Sequence, residues 1–333
     1  MAADPNKLKK ITEIGRSEIL FSAARVPDST RVYVGASDFK VYDFDLSQDK
    51  LEPKSFAGHD SYVTGVVLAG QNVVSCSYDG KLIWFNRESG EIVRKVDAHD
   101  KWIRGLRISP DATMLVSVAD DMVCKLWDAE SGKLLRELRG HEQRTPNHFP
   151  SMLYTSAISP DGKYIATADK VGHVVVWEAA TGDEVTTLET PTMYTWDPKA
   201  RIHSIGGVRS LAFSPDGSLL AVGGMGQVGN IDHLGALARV EIFDWRKGEQ
   251  THEFPGDEHK GLVEYLRFHP DGDWLLAAGG DNSGFIKFFD LEKKKIIHQD
   301  KAAMHVHDLV LNEALDTIYA FGHTKMAIYE LKA

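Results

Sequence analysis

Short apolar runs that alternate with polar residues recur along this chain, and they come in pairs split by a tight turn. In "VRSLAFSPDGSLLAVGG", residues 208–224, two such runs flank Ser214-Pro215-Asp216. Alternation with a period of two places one side of each run against a core, the pattern of a β-strand. Proline pre-sets the backbone of the turn and Asp-Gly completes it, so each pair reads as a hairpin. The same turn recurs at Ser109-Pro110-Asp111 and Ser159-Pro160-Asp161, with a near match at His269-Pro270-Asp271 and a remnant at Pro27-Asp28. A third strand follows each hairpin and closes on an aromatic residue, usually with an acid behind it. These ends are Tyr42-Asp43, Phe85-Asn86, Trp127-Asp128, Trp177-Glu178, Phe243-Asp244, Phe289-Asp290 and Tyr329-Glu330. They are spaced mostly by about 40 to 50 residues, the interval of a repeat architecture.

That interval, the Trp-Asp ends, and Gly58-His59, Ala98-His99 and Gly140-His141 ahead of the three clearest repeats resemble the WD-repeat family of β-propellers. The resemblance covers almost the whole chain. It implies an all-β fold of seven blades, each of four antiparallel strands, packed radially about a channel as one domain over residues 1–333. The seventh repeat ends at "MAIYELKA", after its third strand. Residues 7–14 of "KLKKITEIG" match the outer strand "KLLRELRG" of residues 133–140 in pattern. They are expected to complete the last blade, closing the ring and covering its edges.

In the third repeat, His99, Ser117, Asp121 and Trp127 fall where the family places a hydrogen-bonded structural tetrad. The indole can donate to the Ser hydroxyl, the hydroxyl to His, and the His to Asp. A His, a Ser and an Asp also suggest a hydrolase triad. The tetrad reading accounts in addition for the Trp and the repetition, and a triad would need an exposed nucleophile and an oxyanion site. The second repeat keeps His59, Ser75 and Asp79 but has Phe85 at the indole position, with Trp84 one place early. The fourth keeps His141, Thr167 and Trp177 but has Val171 at the Asp position. The other four keep little beyond the aromatic, so packing is expected to carry them. Asp120 is expected on an exposed loop, and Cys124 in the core.

Composition narrows the function. The 333 residues are 43% hydrophobic and 26% charged, an ordinary globular balance. Lys and Arg total 38 against 48 Asp and Glu, a net charge of −10 that disfavours direct nucleic-acid binding. No apolar run approaches signal-peptide or membrane-span length, and the two cysteines are too few for a disulfide scaffold. A cytoplasmic, monomeric protein with no membrane partner is expected. Gly224-Met225-Gly226-Gln227-Val228-Gly229 spells a dinucleotide-binding pattern, but no helix and parallel strand can follow it here, so a glycine-rich loop is expected. The loop histidines 141, 148, 203 and 233 show no metal-ligand spacing. No cofactor, metal or catalytic residue is assigned.

Rigid blades leave function to loops and rims. Three insertions, "EQRTPNHFPS" (142–151), "TPTMYTWDPKARIHSIGG" (190–207) and "GMGQVGNIDHLGALA" (224–238), all fall in connections that open on the family's top face. They are expected to stand together as a wall on blades four and five. Counting back from each turn proline, or aligning apolar patterns, gives paired positions at the top of each inner strand. The pairs are Ile19 and Phe21, Tyr62 and Thr64, Trp102 and Arg104, Met152 and Tyr154, Gly207 and Arg209, Leu262 and Glu264, and His305 and His307. Related propellers commonly contact partners with this ring. Phe21, Tyr62, Tyr78, Trp102, Arg104, Met152, Tyr154 and Arg209, with Tyr194 and Trp196 on the wall beside Met193, are therefore expected to bind a protein or peptide, about half of them exposed. The alternative is a hydrolase- or lactonase-like small-molecule or metal site at the channel mouth, built from Glu264, His305, His307 and His203.

Overall fold

Each Ser-Pro-Asp turn is wired the same way. The Ser109 hydroxyl donates to Asp111 at 2.5 Å and accepts the Met114 backbone N–H at 2.9 Å. Ser159 with Asp161 and Tyr164, and Ser214 with Asp216 and Leu219, repeat both bonds. One hydroxyl thus closes the turn and starts the returning strand, while proline fixes the backbone between them. At the near match, the His269 ring takes over and accepts the Asp271 N–H at 3.3 Å.

The structure, a computed structural model, describes residues 3–48, 50–199 and 201–332; Met1, Ala2, Asp49, Ala200 and Ala333, and so both ends of the 1–333 span, lie outside them. Its hairpins assemble into seven four-stranded antiparallel sheets over residues 20–57, 63–97, 103–138, 153–189, 210–254, 262–302, and 306–330 with 9–15. The last sheet is the closure expected from the sequence. Strand Lys9–Gly15 pairs antiparallel with Lys325–Glu330, Lys9 opposite Glu330 and Gly15 opposite Lys325. It starts at Lys9 rather than Lys7 because Pro5–Lys7 forms a 3-10 turn capped by the Asp4 carboxylate.

The second strand of most blades is buried on both faces, as in Met114–Ala119 and Tyr164–Asp169, because each blade is covered by a neighbour on either side. Outer strands such as Ile92–Asp97 alternate exposed with half-buried residues. The core therefore lies between blades. Val74, Cys76, Leu82 and Trp84 of blade two pack on Leu106, Leu115 and Trp127 of blade three. Cys76 and Cys124 are free and buried; burial pushes the Cys76 thiol up to about 12, and Cys124 higher still. Cys124 is the core residue it was expected to be.

The dinucleotide-like glycines sit at the end of strand Leu219–Met225 and in the loop after it, and no helix follows. A side chain at Gly224 would place its Cβ 2.3 Å from the Gly207 carbonyl oxygen, so close backbone packing explains that glycine.

Candidate functional site

The polar residues of the repeats are tied into the scaffold. In blade three the Trp127 indole donates to Ser117 at 2.9 Å, Ser117 meets His99 Nε2 at 2.8 Å, and His99 Nδ1 meets Asp121 at 2.9 Å. Ser117 is fully buried and already serves both rings, so no substrate can reach its hydroxyl. Blade two joins His59 to Ser75 at 2.8 Å and to Asp79 at 2.9 Å. Burial works to raise the Asp79 carboxyl, but the hydrogen bonds from His59 and the Asp60 backbone outweigh it and hold it at about 2. Trp84, one place early, points to the other sheet face and donates to the Ala129 carbonyl of blade three at 2.8 Å.

Blade four corrects the sequence reading. Its tetrad is complete: Trp177 donates to Thr167 at 2.9 Å, and His141 meets Thr167 at 2.8 Å and Asp169 at 3.0 Å. The acid is Asp169 in place of Val171, because residues two apart on a strand share a face. Asp120 is a second correction. It is half-buried and grips the Arg104 guanidinium with both oxygens, at 2.8 and 2.7 Å. Where tetrads are missing, charged side chains pair instead: buried Arg239 with buried Glu241 at 2.6 Å in blade five, and buried Lys287 with the exposed Asp257 at 3.0 Å at blade six.

The ring of top positions has a structural cause that the sequence did not disclose. The inner strands of six blades slip register once, and the skipped residues are Phe21, Thr64, Arg104, Tyr154, Glu264 and His307. A β-bulge leaves its extra residue unpaired and re-aims its side chain, here toward the channel. Two residues before these bulges, the carbonyls of Ile19, Tyr62, Trp102, Met152 and His305 accept from Ser37, Tyr78, Asp120, Lys170 and His323, each just past a second strand.

The three rings of positions form a belt. Phe21 packs on Tyr62 at 5.6 Å between centroids, Tyr62 on Tyr78 at 5.8 Å, and Tyr78 stacks on Trp102 at 4.6 Å and 6°. Arg104 lies over Tyr78, Trp102 and Tyr154, and donates to the Tyr78 hydroxyl at 2.7 Å. Met152 sulfur accepts from Tyr154, and Arg209 lies over the Tyr154 ring at 3.9 Å. Trp102 is 52% exposed, Tyr62 41% and Trp196 40%; the other seven residues expected to face a partner are half-buried. Phe39, missed by the sequence reading, is 40% exposed beside Tyr62 and adopts φ +73°. A left-handed aromatic in a turn is costly backbone placement, and such strain tends to mark functional surfaces. A groove of about 390 Å³ is lined by Trp102 together with Tyr78, Asp79, Asp100, Lys101 and Asp120.

The three insertions touch one another. Residues 194–197 and 203–206 form an extra hairpin. Its Tyr194 donates to Asn147 at 2.9 Å, its Trp196 packs on Phe149 at 6.3 Å, and its Thr195 hydroxyl accepts the Val228 N–H at 3.1 Å. Arg201 and Asp232 pair across the same junction. Met193 belongs to the core beneath this wall, packed with Val208 and Trp245, rather than to its surface.

His203 packs edge-on against Phe149, away from the channel mouth. The histidines that do meet there are His305, His307 and His323, with Glu264 alongside. Burial pushes the His307 imidazole down to about 3. Burial works to raise Glu264, but His305 and the charges of His307 and Arg209 outweigh it and hold the carboxylate at about 2. His323 escaped the sequence reading, although it occupies the position of Tyr78 and Asp120 in its own blade. Beneath lies a channel of about 900 Å³. Among the described residues, no helix is long and apolar enough to cross a membrane.

Comparison with known proteins agrees with this architecture. The family described as "WD domain, G-beta repeat" matches residues 52–86, 90–128, 198–228 and 248–290. The segments 52–86, 90–128 and 248–290 each join one blade's outer strand to the first three strands of the next. The chain is 26% identical over 265 residues to mouse "Telomerase protein component 1", covering 78% of this chain and 9% of that protein. It is 24% identical over 277 residues to "Nuclear distribution protein PAC1" of Arthroderma benhamiae, 77% of this chain and 54% of that one. To "Eukaryotic translation initiation factor 3 subunit I" of Candida albicans it is 23% identical over 206 residues, 61% and 52% respectively. The match thus spans about half of the latter two relatives and a small fraction of the first. Its ring of seven sheets, its strand-offset repeats and its buried Trp-Ser/Thr-His-Asp networks together show that the chain belongs to the WD40-repeat family of β-propellers, whose members typically serve as non-enzymatic interaction scaffolds.

Proposed function

We propose that this propeller is a non-enzymatic scaffold whose top face binds a protein or peptide presenting a basic side chain flanked by apolar residues. The observation that carries the reading is the Tyr78–Trp102 stack beside the groove that holds Asp79, Asp100 and Asp120. Aromatic faces attract cations, and the exposed Asp100 offers them a carboxylate. Exposed Tyr62, Phe39 and Trp102 supply the large rigid contacts typical of interface hot spots. The wall of blades four and five would bound the site and limit how a bound segment can run. PAC1 and the initiation factor subunit are named for larger processes, which fits a scaffold role.

Panning a displayed random-peptide library against the protein tests this. Enriched peptides should carry Lys or Arg beside apolar residues, and Trp102→Ala with Tyr62→Ala should weaken them at least tenfold while the melting temperature holds. Both side chains are exposed, so the fold should tolerate their loss, whereas Arg104 is bonded into the rim and its removal would confound the result. Enrichment of acidic peptides, or affinity unaffected by the double substitution, would count against the reading.

A further inference from the structure

Three imidazoles from blade seven crowd one corner of the channel mouth. His305 immediately precedes the inner strand Val306–Leu311, His307 is its bulge residue, and His323 follows the second strand. One ring nitrogen of each lies within 4.8 Å of the other two, and the ring centroids are 4.5 to 4.8 Å apart. The Nε2 atoms of His305 and His307 are buried with no hydrogen-bond partner, and His305 itself is only 7% exposed. From the adjacent bulge, Glu264 brings a carboxylate oxygen to 3.5 Å from His305 Nε2. Leaving two buried ring nitrogens unpaired costs stability, and stacking the rings does not satisfy them.

We propose that His305, His307 and His323, assisted by Glu264, bind a divalent transition-metal ion of the zinc class. Three imidazoles and a carboxylate are a donor set suited to zinc or its neighbours, while calcium and magnesium prefer oxygen alone. A tetrahedral site needs its nitrogens about 3.3 Å apart, given metal–nitrogen bonds of about 2.05 Å. The present span needs to contract by at most about 1.5 Å, and His323 sits exposed on a turn where side-chain rotation can supply it. Glu264 completes the coordination, its carboxylate oxygen already standing 3.5 Å from His305 Nε2. The other candidate group, His269 with Asp271 and Asp273, lies on a turn with both acids exposed and no orphaned nitrogen to explain. Next to the ion, 5.2 Å from the His307 ring, stands Phe21 of the aromatic belt.

No partner is needed for the test, so its failure leaves the peptide-binding reading standing. Tag-free protein is stripped with chelator, then titrated with zinc chloride by calorimetry and with cobalt(II) by visible absorption. One ion per chain is expected, with the absorption band of a four-coordinate cobalt site. His307→Ala and His323→Ala should each weaken binding about tenfold or more, while His203→Ala and His269→Ala leave it unchanged. Because His323 is exposed, its variant should melt as the parent does, so lost affinity there reports ligation rather than unfolding. Zinc uptake that is absent, not saturable at one ion, or equal in parent and His323→Ala would overturn the proposal.

Discussion

A hydroxyl can donate and accept at once, and that is why a Ser or Thr stands at the centre of each tetrad. Ser117 accepts from the Trp127 indole and serves His99, so three strands and the preceding loop share one buried chain of bonds. Trp127→Phe should cost about 1 kcal/mol, the net worth of one neutral hydrogen bond. His99→Ala should cost about 2 to 3 kcal/mol, because it strands Ser117 as well as removing the ring; urea unfolding compares the two. The acid end adds a pH dependence. Asp79 is held at about 2 in the folded chain against 3.8 ordinarily, so it releases its proton more readily when folded. Its stabilising effect is complete above pH 3.8 and is lost as the pH falls through about 2. Asp79→Asn should therefore flatten the stability profile between those two values, measured by thermal melts across acid buffers. At this scale the sequence was legible wherever a residue kept its offset, as His99 and Asp121 did. Asp169 was hidden because its place followed from strand periodicity instead of the repeat count.

At the scale of the element, the strand Lys9–Gly15 stitches the ring. It shields the edge of Lys325–Glu330, which would otherwise present a row of unpaired backbone groups. Lys325 reinforces the seam by pairing with Glu13 at 2.6 Å. A chain lacking residues 1–15 should gain an open edge, melt earlier and self-associate, as light scattering on a sizing column would show. Added peptide of residues 7–15 should return it to the parent's size; a truncated chain that stays monomeric and equally stable would argue that the seam is dispensable. This strand could be read from the sequence because its pattern repeats that of another outer strand. The bulges could not, since Phe21, Arg104 and His307 break pairing without any residue type that announces it. Nor could the pairing of residues 194–197 with 203–206, which is braced by contacts with Asn147, Phe149 and Val228 from distant connections.

Over the whole molecule, seven interlocked sheets leave the top face little freedom to adapt, so recognition rests on what that face already displays. The chain carries −10 net charge, and Asp100 stands beside the exposed Trp102. A basic segment would be drawn in by the general field and held by the aromatic stack, and these two contributions separate kinetically. Attraction between exposed charges fades beyond a Debye length of about 10 Å at 0.1 M salt and about 3 Å at 1 M. Contact with Trp102 and Tyr62 is not screened in this way. For a peptide selected on the protein, association should slow markedly between 0.05 and 0.5 M salt (about a tenfold span of ionic strength) while dissociation changes little. Asp100→Asn should weaken the salt dependence of association, and Trp102→Ala should instead hasten dissociation. Surface plasmon resonance with the immobilised propeller reads both rates. An association rate indifferent to salt would mean that the acidic groove does not steer its ligand, and the aromatic belt would then have to recognise an uncharged segment.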